Sequence, residues 1–181
     1  GLGYTSCFNL MKNKRVFQYK NLCGYKKTGI VDEKLVETNI RDIKSHIDKY
    51  KQSLYHIIRT PNGSGADIVI SNFKKYIGDI VYHTYDKKSD IKNINIILNM
   101  KPEQHTFIFV KEKLRCAKTL IKTHLGIMYD RYTKSAPNDS VIVQGLLGRG
   151  TGYDDNGMSI YFTNLESIAR YKRHWRTDFD G

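Results

Sequence analysis

Residues 54–85, LYHIIRTPNGSGADIVISNFKKYIGDIVYHTY, decide the fold class. The short apolar run LYHIIRT reads as a buried strand, because it is bounded by the turn-rich PNGSG and is too short for a packed helix. GADIVISNFKKYI then reads as a helix, and DIVYHTY as a second strand. A strand, a helix and a strand in direct succession form a right-handed crossover, which pairs the two strands in parallel or places them in one parallel sheet. Such a sheet carries helices on both faces.

The alternation continues downstream. DIKNINIILNM reads as a helix, HTFIFVK as a strand, EKLRCAKTLIKTH as a helix, LGIMYDRY as a strand, MSIYFT as a strand and NLESIARYKRHW as a helix. The expectation is one α/β domain over residues 50–181, with a mainly parallel sheet in three layers. Upstream, DEKLVETNIRDIKSHIDKYKQ places Val36, Ile40, Ile43, Ile47 and Tyr50 at four-three spacing between charges. That pattern predicts an amphipathic helix, with Asp32 able to cap its first turn. Residues 1–31 show little periodicity and read as an irregular or short-stranded lead-in, so residues 1–49 are expected to form a lead-in and linker helix.

Charge narrows the partners. The 181 residues carry 30 Lys and Arg against 18 Asp and Glu, a formal net charge of +12, with a sequence pI near 9.5. A surplus of this size favours a polyanion such as DNA or RNA. The three cysteines, Cys7, Cys23 and Cys116, are odd in number and lack C-x-x-C spacing, which predicts neither a disulfide framework nor a zinc site. The absence of a membrane-length apolar run and of a signal-peptide pattern gives the expectation of an intracellular protein in a reducing compartment, with no membrane partner.

In a parallel sheet the loops at the carboxyl ends of the strands face ligand. Here those loops are RTPNGSG, HTYDKKSD, VKEKLR and DRYTKSAPND. They supply Arg59, Thr60, Thr84, Lys111, Lys113 and Arg131 as a candidate polyanion track, because phosphate contacts come mainly from Lys, Arg and hydroxyl side chains.

Several chemistries lack their residues. No G-x-x-x-x-G-K-[ST] P-loop, H-E-x-x-H or G-x-S-x-G string occurs, and His46, His56, His83, His105, His124 and His174 are scattered singly, so no metal site is expected. YDDNGMS is acidic but lacks a calcium ligand ladder. Asp155, Asn156 and Gly157 read instead as a tight turn into the strand MSIYFT.

Residues 141–157, VIVQGLLGRGTGYDDNG, remain. Asn138, Asp139 or Ser140 can cap a helix that begins at SVIVQGLLGR and ends near Gly150 and Gly152, while Val141, Ile142 and Val143 favour a strand by propensity. On a helix, Gln144 and Gly148 share a face and Arg149 sits at its edge. A guanidinium so placed suits stabilisation of charge on a transferring phosphoryl group, and a surface ion pair is the common alternative.

With these elements in order, the chain resembles the second RecA-like domain of a superfamily 2 helicase. YHIIRTP resembles motif IV, HTFIFVKEKLRCAKTL resembles motif V and QGLLGRGTGY resembles the Gln-x-x-Gly-Arg core of motif VI. The wording is also similar to helicases of large DNA viruses, and the richness in Lys, Asn, Ile and Tyr suits an AT-rich genome. The resemblance implies a three-layer RecA-like domain in which Arg149 is the arginine finger, and Gln144 and Gly148 adjoin the nucleotide. It further implies that Arg59, Thr60, Lys111 and Lys113 touch the nucleic-acid backbone. ATP and Mg2+ would be held mainly by an upstream P-loop domain absent from this chain, so the fragment alone would not turn over ATP. The alternative is a non-catalytic basic nucleic-acid-binding or scaffold domain with the same fold.

Overall fold

The structure is a computed structural model that describes residues 5–24, 32–86, 92–111, 120–133, 154–170 and 173. Six strands form one sheet: β1 (Val16–Gln18), β2 (Tyr55–Arg59), β3 (Val81–Tyr85), β4 (Thr106–Val110), β5 (Leu125–Tyr129) and β6 (Ile160–Thr163). Their order is β1-β6-β5-β2-β4-β3, and every pairing is parallel. The helices are α1 (Cys7–Lys12), α2 (Glu33–Ile47), α3 (Ser64–Ile77) and α4 (Lys92–Leu98), with a further helical stretch over 165–170.

Side chains alternate along each strand, and the two resulting faces have different covers. Tyr55 and Ile57 of β2, Ile108 and Val110 of β4, and Tyr161 of β6 pack with Leu10 of α1, Ile94 and Leu98 of α4, and Ile168. On the other face Ile58, Phe107, Phe109 and Phe162 pack with Val36, Ile40, Ile43 and Ile47 of α2 and with Val69, Ile70 and Phe73 of α3. Helices on both sides of a parallel sheet make three layers, the α/β class expected from residues 54–85. The ring of Phe73 meets Phe107 and Phe109 edge-on, each at 5.2 Å between centroids, which joins α3 to the sheet centre.

The amphipathic reading of α2 holds in detail. Asp32 Oδ1 accepts from Leu35 N at 3.1 Å, and Val36, Ile40, Ile43 and Ile47 are buried. The outward face carries the i,i+4 pairs Glu37–Arg41 and Lys44–Asp48.

The apolar stripe of α2 packs on the α/β unit that follows it, and other described residues before residue 50 join the same cores. β1 extends the sheet by pairing with β6, Leu10 enters one core, and α2 is a main cover of the other. Physically, residues 5–24 and 32–49 supply apolar surface that covers the sheet. One expectation changes: the helix reading does not hold over residues 120–124. Residues 120–124 form a loop with a turn at 123–124, where Leu125 N donates to Lys122 O and Ile121 N donates to Asn95 Oδ1. The remainder of that helix reading, and Cys116 with it, lies outside the described residues.

The tight turn expected at residues 155–157 is present. Gly157 has a φ of +74°, and Asn156 Oδ1 accepts from Met158 N at 2.8 Å and Ser159 N at 2.9 Å before β6 begins.

Candidate functional site

The connections out of the strands locate a candidate ligand position. From β2 the chain passes through α3 to β3 at one edge, whereas β5 is followed by β6 on the opposite side. β2 and β5 are neighbours, so their carboxyl ends flank the point where the direction of strand succession reverses. A point of this kind is the usual ligand position in open α/β sheets.

Arg59 and Asp130 stand at that point. Arg59 ends β2, Asp130 follows β5, and Arg59 Nη1 donates to Asp130 Oδ1 at 2.8 Å. Their side chains are only 12% and 8% exposed. Asp130 Oδ1 also accepts from Arg131 N at 2.9 Å, and the side chain of Arg131 is exposed.

The other track residues described by the structure occupy the same edge. Thr60 is buried; its N–H and its hydroxyl both donate to Val110 O, at 2.9 Å and 3.4 Å. Lys111 follows β4, its N–H donates to Tyr85 O, and its ammonium lies 3.7 Å from the largely exposed Asp67 carboxylate in the first turn of α3. Thr84 is exposed on the edge strand β3. The α3 N-terminus opens at Gly63, whose φ is +63°, with no side chain capping the first turn. Lys113, Gln144, Gly148 and Arg149 lie outside the described residues. Arg59, Thr60, Lys111 and Arg131 are therefore brought to one edge, but Arg59 and Thr60 are committed to internal bonds. A sequence pattern does not show this, because Asp130 lies 71 residues beyond Arg59.

The opposite edge carries two polar arrangements that sequence reading missed. His56 Nδ1 accepts from Ile127 N at 3.0 Å, and His56 Nε2 lies 2.9 Å from His105 Nδ1, which also accepts from Leu54 N at 3.3 Å. Those backbone donors fix the tautomers: His56 carries its proton on Nε2 and donates to His105. Both ring nitrogens of His56 are thus used within the fold. The arrangement exists because β5 takes one more residue than β2 between the pairs Tyr55↔Leu125 and Ile57↔Met128, a bulge that turns Ile127 N–H toward the imidazole.

Burial, with a smaller contribution from His105, pushes the His56 pKa down to about 3. Burial also lowers that of His105, opposed by Asp48. A histidine that resists protonation when folded, yet titrates near 6.5 when unfolded, gives stability that is complete above pH 6.5. That stability is lost as pH falls toward 3, at about 1.4 kcal/mol per pH unit. Thermal melts should therefore drop by several degrees between pH 7 and pH 5, and a flat melting temperature over that range would contradict the neutral pair.

Arg15 and Asp155 form the second arrangement. Two guanidinium nitrogens meet the two carboxylate oxygens at 2.5 and 2.6 Å, and Arg15 Nε donates to Ser159 O at 2.8 Å. The hydrogen bond to Arg15 holds the Asp155 carboxyl below its usual pKa. Tyr161 N donates to Arg15 O, so the pair sits beside the β1–β6 junction.

No family model matches the chain, and no solved structure matches it. The chain is 30% identical, over 185 aligned positions, to an uncharacterized protein of Acanthamoeba polyphaga mimivirus. That alignment covers 98% of this chain and 43% of the viral protein, so the chain spans less than half the length of the relative. No helix among the described residues is long and apolar enough to cross a membrane.

Proposed function

We propose that the chain is the carboxyl-terminal motor half of an ATP-dependent nucleic-acid helicase or translocase of superfamily 2. The observation that carries this reading is the gathering of Arg59, Thr60, Lys111 and Arg131 on the carboxyl edge of an all-parallel sheet, where the direction of strand succession reverses. Segments that resemble motifs IV and V end at neighbouring strands there, since β2 and β4 pair along their whole length. The +12 net charge suits a phosphate backbone. A relative more than twice as long as the chain leaves room for a second, nucleotide-holding domain.

In this reading Arg149 reaches a triphosphate presented by the other domain, with Gln144 and Gly148 beside it. Nucleic acid lies along the carboxyl edge, and ATP turnover opens and closes the cleft between the two domains. ATP and Mg2+ are bound chiefly by the other domain, because this chain has no P-loop.

The test joins the chain to an upstream P-loop domain and measures ATP hydrolysis with and without single-stranded nucleic acid. Stimulated turnover is expected, and Arg149→Ala should reduce it by about a thousandfold or more. Equal turnover in that variant ends the finger assignment. Binding without any stimulated hydrolysis selects the non-catalytic nucleic-acid-binding module instead.

A further inference from the structure

The geometry points to a division of labour at the carboxyl edge: Arg59 and Asp130 are a fixed brace that never exchanges partners with the ligand, and Arg131 makes the phosphate contact at this position. The inference rests on the reading of the carboxyl edge as a nucleic-acid track, and it moves the contact implied for Arg59 onto a different residue.

Burial separates the candidates. To reach a phosphate, Arg59 would have to abandon a 2.8 Å bond to a carboxylate that is 8% exposed, and breaking a buried charge pair is costly. Arg131 differs on each count. Its backbone N–H is fixed by Asp130, its side chain is exposed, and no ion pair engages it among the described residues. Lys111 is an intermediate case. Its 3.7 Å approach to Asp67 is loose and partly exposed, and a pair of that kind yields to a phosphate at little cost. The brace also crosses the β2–β5 junction, which carries a bulge, and ties the carboxyl ends of those two strands together.

Salt dependence gives the test, because each phosphate contact to a single strand contributes about 0.7 to the slope of log affinity against log salt. The whole chain is titrated with a single-stranded thymidine oligonucleotide across a salt series. Arg131→Ala should make the slope shallower by about 0.7. Arg59→Met combined with Asp130→Leu removes the brace without changing net charge, and it should leave the slope as it was. A double variant that loses as much slope as Arg131→Ala would overturn the assignment, as would an Arg131→Ala slope equal to that of the wild type.

Thermal melts of the double variant and of its two single parents provide an independent arm. Arg59→Met alone and Asp130→Leu alone should each lower the melting temperature by on the order of 10 °C, and the double by far less, since an apolar pair replaces a buried ion pair at small cost. If the wild-type chain fails to bind the oligonucleotide at all, the nucleic-acid reading falls, and the melts alone judge the brace. Singles and double melting alike would sink it.

Discussion

Gly126→Ala should lower stability by about 4 kcal/mol, the sum of an overpacked core and a broken buried hydrogen bond. An added Cβ would stand 2.5 Å from His56 Cε1 and 2.7 Å from His56 Nδ1, well inside contact distance. The imidazole has nowhere to go, being fully buried and held at both nitrogens. Displacing it strips Ile127 N–H of its acceptor at the centre of the sheet. In a chain of this length that loss corresponds to a fall in melting temperature of on the order of 10 °C. Circular dichroism melts would read it directly, and a shift below about 2 °C would mean that the ring can move aside. The double variant Gly126→Ala with His56→Ala should regain part of the loss, because the added methyl then has space.

The second large effect concerns the junction between β1 and β6. Arg15→Met should destabilise the fold by about 3 kcal/mol, since it leaves the Asp155 carboxylate largely buried without its bidentate partner. The sign with pH follows from the depressed Asp155 pKa. Its contribution is present above the unfolded carboxylate value near 4 and is lost as pH falls through the lower folded value. Wild type and Arg15→Met should therefore converge in stability in strong acid and diverge toward neutrality. Urea unfolding at pH 7 and at pH 3 measures this, and a gap independent of pH would remove the ion pair as its cause.

Local patterns made much of the fold legible. β2, β4 and β5 are apolar runs bounded by turns, and α2 shows its stripe and its capping aspartate at once. β1 was hidden because three residues, Val16–Gln18, carry no period of their own. Their strand character comes from pairing with Tyr161, Phe162 and Thr163. His56 looks like any lone histidine until the bulge in β5 supplies a backbone donor. The candidate edge was legible in placement but not in energetics. Charge counting assigns Arg59 to solvent, whereas the fold brings Asp130 against it and leaves Arg131 outside.

The all-parallel order has a consequence for synthesis. Among the described residues β1 pairs with β6 alone, and Ser159, which Arg15 grips, lies 144 residues further on. At about 5–20 residues per second on the ribosome, the early segment must wait roughly ten seconds or more before its neighbour emerges. Such distant pairing makes the final closure slow compared with the assembly of β2, α3, β3 and β4. During that interval the flank of β6's future position stays uncovered, so the nascent chain is most exposed to misassociation just before its last strand arrives.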